Sequence, residues 1–411
     1  MTKHFQKMHF QNQVEKMTIV HIIDHYQPDL GYQEVHLARA QARAGHKVVV
    51  ITSTAKPAMA LECESPLPEE NVEVRRLAFV RVGGRLWMRG IERHLAEIKP
   101  DWVIVHCLMT WSAIRAGIGR LTRRFDGILT IDDHTVLSYR RTDLIGSAAY
   151  RAFRLLVTPW LTRVCRDFVA VTPETRSLLL SDYGIPAELV RLVPLGADAD
   201  LFRPDPVARA AVRQRLGWTT DSIVIVYAGK FLPEKCLLEL IGAVEPLAAE
   251  NPKLKLLLIG SGPAQYADEL HLLAGTLPTG CVCFHPAVSN RELPELLAAA
   301  DIGVWPGSES IVHLEAMACG LAIVIRDKDS LRDRVAGGAG LLTTGDPGDI
   351  RAKLVALLND PGLLGTIQRK ARERIETQLC WQRLARQFEP AWSIPSRRQT
   401  VTRDTQPQAW S

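Results

Sequence analysis

The chain has 411 residues, more than one ordinary hydrophobic core absorbs, so two domains of average size are expected. Its 47% hydrophobic and 23% charged content excludes disordered and fibrous classes, and no apolar run reaches the roughly 18–20 residues that cross a bilayer. The net charge of +5 is unevenly spread, with 17 Lys/Arg against 7 Asp/Glu between Arg75 and Arg166; such a stretch suits nucleic acid, anionic lipid or a phosphorylated acceptor, or simply a solvated surface.

Residues 1–16 carry neither an apolar core nor a cleavage-like site, and read as a flexible extension rather than a secretory signal. From Met17 the order becomes regular. TIVHIID reads as a strand, a loop with Pro28 and Gly31 follows, EVHLARAQARA has helical spacing and ends at Gly45, and KVVVIT is again a strand. Further strands are predicted at DWVIVH (101–106), GILTID (127–132) and DFVAVT (167–172), with a helix disturbed near Pro159 between the last two. VRLVPLGADADLFRPD is rich in Asp and Pro and short of periodicity, which suits a linker. A second series, SIVIVYAG, LKLLLIG, CVCFH, IGVW and LAIVI, alternates with helices rich in Leu, Ala and Glu. Two α/β, doubly wound, Rossmann-like domains facing a central cleft are therefore expected, over 17–199 and 200–388, with 389–411 as a C-terminal segment and flexible tail. The eight cysteines are scattered without disulfide or zinc spacing, as in a reducing cytoplasm.

Doubly wound sheets bind ligands beyond the carboxyl ends of their strands. Lys230 and Lys235 follow IVIVYAG there, as two ammoniums able to meet a diphosphate or as solvated loop lysines. Gly260 and Gly262 in IGSGP would let backbone approach a ligand, although tight turns use the same pattern. Neither a P-loop signature nor a full dinucleotide fingerprint is present. Glu315 lies at the start of a short helix, where it caps the dipole or accepts hydrogen bonds from ribose hydroxyls. His106 and His134 stand at strand ends, suited to acid–base work or to binding a sugar. Asp132 and Asp133 should point to opposite faces, which argues against a shared metal. Gly31 precedes the first helix, whose amides could meet a phosphate or sugar.

Together these segments resemble the retaining glycosyltransferases of family four, which have the GT-B fold, from about Met17 to Phe388. PDLGYQEVHLARAQARAGHKVVVIT is similar to the family's opening unit, with one glycine where many members carry two. The stretch with Gly196, Asp198, Phe202 and Pro204 looks like the one closing the first domain. AGKFLPEK and HLEAMACGLAIVI match the donor motifs. The resemblance implies that Lys230 and Lys235 hold the donor diphosphate and that Glu315 binds the ribose. It places His134 near the reacting sugar, Gly31, Gly260 and Gly262 against the donor, and His106 and Tyr32 toward the acceptor. Where the family commonly has a second acid, this chain has Gly307; Glu309 and Ser310 are expected to take over part of that role.

What the resemblance implies is a metal-independent, retaining transfer from a nucleoside-diphosphate sugar to a glycan or lipid-linked acceptor, in cell-surface polysaccharide or glycoconjugate synthesis. It needs no cofactor beyond the donor. The setting would be cytoplasmic, and the arginines near Arg85, Trp87, Met88, Arg89 and Arg120–Arg124 suggest a peripheral, anionic membrane surface at the inner face of the plasma membrane. A sugar-nucleotide epimerase of the same fold and an inactive sugar-nucleotide-binding subunit are the alternatives. Nucleic acid is not expected, because the arginines lack an accompanying motif.

Overall fold

The computed structural model describes residues 16–55, 71–134 and 144–390; the expected flexible segments at 1–15 and from 391 onward lie outside them. The first sheet contains β1 (Thr18–Ile23), β2 (Lys47–Ser53) and β3 (Val72–Leu77). After a hairpin of β4 (Phe79–Val82) and β5 (Arg85–Met88), it continues with β6 (Trp102–His106), β7 (Ile128–Asp133), β8 (Asp167–Ala170) and β9 (Val190–Leu192). Its order is β3-β2-β1-β6-β7-β8-β9, parallel throughout. Helices cover both faces, so the central strands are near-continuous runs of Val and Ile rather than alternating ones.

The second sheet uses β10 (Ile223–Ala228), β11 (Leu254–Ile259), β12 (Val282–His285), β13 (Ile302–Trp305), β14 (Ala322–Arg326) and β15 (Leu341–Thr343). Its order β12-β11-β10-β13-β14-β15 is again parallel. Each sheet reverses its strand order once, between β1 and β6 and between β10 and β13. Those switch points open a crevice at the carboxyl ends of the strands, where doubly wound sheets place ligands.

The linker is pinned by a return of the chain. Ala197 N donates to Leu379 O at 2.9 Å, and a Cβ on Gly196 would sit 2.3 Å from that same oxygen. Asp198 accepts from Arg43 at 2.8 Å, and Phe202 is fully buried. The helix Trp381–Phe388, grouped by sequence with the second domain, instead packs its Trp381, Leu384 and Phe388 with Ile19, Leu37 and Trp102 of the first. Arg191 fastens it through the carbonyls of Gln387 and Phe388.

The disturbance expected near Pro159 is a break into two helices, Leu144–Leu156 and Thr158–Val164. The β4–β5 hairpin corrects another expectation. Met88 is buried, and Trp87 packs edge-on against Trp111 with the Arg115 guanidinium 4.6 Å from its ring. Met88 is therefore not part of a surface, while Trp87 is partly covered.

Candidate donor and acceptor site

The two second-domain strands that flank the switch point carry the charged groups. After β10, Gly229 leads to an exposed Lys230 and then to the turn Pro233–Lys235. After β13, Gly307 runs so close to this turn that a Cβ there would lie 2.2 Å from Glu234 O and 2.5 Å from Lys235 Cα. No acidic side chain fits at 307 on this backbone. The approach has a use: Ser308 N donates to Glu234 O at 2.9 Å, and Lys235 Nζ donates to Glu309 O at 2.8 Å. The half-buried ammonium is thus held by carbonyls, with no carboxylate in ion-pair range among the described residues, and burial lowers its pKa. A cation fixed in this way has charge left over for an anion.

Glu309 turns its carboxylate to Ser330 Oγ at 3.0 Å and Lys328 Nζ at 3.4 Å. Burial works to raise it, but a backbone amide, Lys328 and Ser330 together hold it below the ordinary value. Ser310 Oγ accepts from Val312 N at the start of the next helix, and its carbonyl accepts from Arg334 at 2.5 Å. Gly260 and Gly262 are required by the packing of the protein itself. A Cβ on either would collide with Gly229 O at 1.8 Å or Phe231 O at 1.9 Å, so these glycines let the β10 and β11 loops interlock.

Glu315 sits in the helix Val312–Ala318 and is 1% exposed. Its Oε1 accepts from Asn290 Nδ2 at 2.6 Å, while Oε2 has no partner. Burial pushes this carboxyl up to about 8, against the hydrogen bond from Asn290. The lid over it comes from the first domain. Gly31, at φ +58°, packs where a Cβ would overlap the Asn290 amide, Asn290 N donates to Asp29 O at 2.8 Å, and His36 Nε2 stands 3.9 Å from Glu315 Oε1. His36 is itself drawn down to about 4 by burial, and its ring stacks on Trp381.

The first domain's polar groups are arranged differently. Gln41 Oε1 lies 2.7 Å from His21 Nε2, His21 Nδ1 lies 2.9 Å from His106 Nε2, and His106 Nδ1 lies 2.9 Å from Asp132 Oδ1. Asp132 Oδ2 then accepts from Gln33 Nε2 at 2.7 Å. All five side chains are buried. His106, expected to face an acceptor, is therefore a link in an internal ladder, and this corrects the sequence reading. Burial opposes the Asp132 charge, but His106 leads the groups that hold its carboxyl below the ordinary value. Asp133 turns away and accepts from Leu108 N at 2.9 Å, as strand alternation requires.

His134 is half-buried just past β7, with Nε2 3.3 Å from Cys107 Sγ. Cys107 is the largest influence raising it well above its ordinary value, burial opposes, and Asp132 and Glu34 add to the rise. Tyr32 is exposed at the start of the first helix. The switch-point rule thus collects Gly31, Lys230, Lys235, Glu309, Ser310 and Glu315 around one crevice, with His134 at the facing strand ends. Asn290, His36, Lys328 and Ser330 escaped sequence reasoning. Lys328 was within its reach as the second residue beyond β14; Asn290 and His36 matter only through contacts between distant segments.

Comparison with known proteins shows the family and the fold. A family model for glycosyltransferase family 4 matches residues 34–201, and one for glycosyl transferases group 1 matches 222–360. A D-inositol 3-phosphate glycosyltransferase of Xylanimonas cellulosilytica is 30% identical over 82% of this chain and 85% of its own length. One from Streptomyces bingchenggensis is 32% identical over 56% of this chain; there the match spans only 54% of the relative's length. Among solved structures, Anabaena HepE in complex with UDP superposes with a TM-score of 0.71 at 19% identity, over 90% of this chain and 98% of that one. The architecture is the GT-B fold, and the chain belongs to glycosyltransferase family 4.

Proposed function

We propose that the chain is a retaining glycosyltransferase that moves a sugar from a nucleoside-diphosphate donor to a glycan, inositol phosphate or lipid-linked acceptor. One observation carries the reading: Glu315, in the helix after β13, is buried with Oε2 unpartnered, and Lys235, in the turn after β10, is an ammonium held only by carbonyls. A ribose hydroxyl supplies the donor that Oε2 lacks, and a diphosphate supplies the charge that Lys235 lacks. Asn290 gives way or shares its hydrogen bond when the ribose enters. The complex of HepE with UDP and the inositol phosphate relatives support this choice of substrates.

In this mechanism the bond between the anomeric carbon and the diphosphate oxygen breaks, and the acceptor oxygen attacks from the same face. The acceptor's proton passes to the departing diphosphate. Lys230 and Lys235 meet the negative charge that develops there, the kind of electrostatic stabilisation that usually contributes most, so the step needs neither a metal nor a further cofactor. Glu309, Ser310 and His134 bind the transferred sugar, with Tyr32 at the acceptor side. The reading places the enzyme in the cytoplasm, peripheral to the plasma membrane, in cell-surface glycoconjugate synthesis.

Thermal stability against UDP, GDP and ADP, free and sugar-linked, tests the donor site. A ligand at a hundred times its dissociation constant stabilises by about 2.7 kcal/mol. A shift with one base, absent in Glu315→Ala, is the expected result; no shift with any nucleotide overturns the reading. Donor binding without transfer to any acceptor would favour the inactive subunit, which Gly307 invites. Altered sugar nucleotide released without an acceptor would favour the epimerase.

A further inference from the structure

The arginine-rich half of the first domain divides into two places. Arg85 and Arg89 belong to the hairpin packed at the start of the helix Trp111–Leu121, whereas Arg120 and Arg123 lie at its far end. There, two adjoining cavities of about 210 and 320 Å³ form one groove, whose lining includes Arg120, Arg123, Arg163 and Arg166. The groove reaches Ile128 and Arg166, which stand at the amino ends of β7 and β8, so it lies on the side of the sheet away from the crevice.

No Asp or Glu lines either cavity, and these four guanidiniums make no side-chain hydrogen bond or ion pair among the described residues. Arg120 and Arg163 each occupy the last turn of a helix, where the dipole favours a cation. That explains each arginine singly. It does not explain four of them sharing a groove, where like charges repel until an anion separates them. One exposed apolar side chain lines the groove, Leu121 at 61% exposure. Leu155 and Leu156, at 67% and 72%, end the helix that leads into Thr158–Val164.

We propose that this groove takes the phosphate of an anionic lipid headgroup, while Leu121, Leu155 and Leu156 enter the interface. Arginines beside exposed leucines match the two halves of such a surface, charge and hydrocarbon. A soluble phosphate would use the arginines and leave the leucines unexplained. The inference deepens the membrane-side part of the reading above and rests on it only for biological setting. The donor crevice lies at the other ends of the strands.

Flotation with phosphatidylcholine vesicles, with and without phosphatidylglycerol, tests it. The wild type is expected to float only with phosphatidylglycerol, and Arg120→Gln/Arg163→Gln to lose on the order of tenfold or more in affinity. Leu155→Ser/Leu156→Ser should weaken binding with the charge intact, and Arg85→Gln/Arg89→Gln should float like wild type. Indifference to phosphatidylglycerol overturns the proposal, as does equal loss in the hairpin and groove variants. So does binding of inorganic phosphate to the groove without vesicle binding, which would mark a free-anion site. If the double variant fails to fold, Arg123→Gln, at an exposed position, carries the same test with a loss of a few fold. Nucleotide-dependent thermal shifts on the same variants separate a failed membrane site from a failed donor site.

Discussion

The two switch points hold similar residue types and use them in opposite ways. At the first-domain switch point, Gln41, His21, His106, Asp132 and Gln33 are linked to one another in a buried ladder, which leaves Gln41 Nε2 and Gln33 Oε1 without a partner at its two ends. In the second domain, Lys235 rests on carbonyls and Glu315 keeps an oxygen without a partner among the described residues. Buried polar groups that are paired rigidify a domain, whereas those left unpaired cost free energy that a ligand can return. The first arrangement joins three strands and a helix of one domain; the second is what the proposed donor site draws on.

Breaking the ladder should give the largest effect. Asp132→Ala leaves His106 Nδ1 and Gln33 Nε2 buried without their acceptor, a change that costs about 3–5 kcal/mol. Urea unfolding should register the loss, and whatever fold survives should bind nucleotide normally. If Asp132→Ala instead leaves stability untouched and abolishes nucleotide binding, the contrast between the two regions is wrong.

Glu315→Gln should act in the opposite sense. The folded carboxyl is raised to about 8 from an ordinary 4.5 by burial. Between those values the folded state keeps a proton that the unfolded state has lost, so wild-type stability falls as pH rises through the window. Glutamine removes that penalty. The variant should match wild type near pH 4 and exceed it by on the order of 3 kcal/mol at pH 7, less whatever a local parting of Gly31 from Asn290 relieves. Thermal melts across pH check this. The same linkage makes nucleotide affinity rise with pH up to about 8, by at most about tenfold per pH unit. Calorimetry in buffers of different ionisation enthalpy should record the released proton.

Gly307→Ala is expected to come next in size. Its Cβ meets backbone of the Pro233–Lys235 turn, not a flexible side chain, so the turn must shift, at about 1–3 kcal/mol. Lys235 should then lose its carbonyl grip, and nucleotide affinity should fall with it. An unperturbed alanine variant would mean that an acid could have been accommodated at 307 after all.

The same contrast explains what was legible beforehand. The central strands announced themselves because helices on both faces demand unbroken apolar runs, as in Ile223–Ala228. Lys235 and Glu315 were singled out by their places after strands, and the resemblance implied their roles. The hairpin was missed although Gly83-Gly84, both at positive φ, is a two-residue turn signal; its strands carry Arg81 and Arg85, and its core face is short, with Leu86 and Met88 buried on β5. Burial of His106 was not readable, since it depends on His21 and Asp132 arriving from two other strands. Nor was Asn290, whose partners Asp29 and Glu315 lie on opposite sides of the crevice.

Lys230 supplies the smallest test. It is exposed, and its backbone carbonyl accepts from the Tyr227 hydroxyl at 2.8 Å, a bond that any residue at 230 retains. Lys230→Ala should therefore leave stability within about 0.5 kcal/mol of wild type. Its ammonium is screened by salt in a way that the half-buried Lys235 is not. Nucleotide affinity should fall a few fold at low salt, and the difference from wild type should shrink as salt rises, whereas the deficit of Lys235→Ala should persist. Titrations of both variants at two ionic strengths check this. Equal salt dependence would place both lysines at the surface of the site and remove the distinction between a steering charge and a seated one.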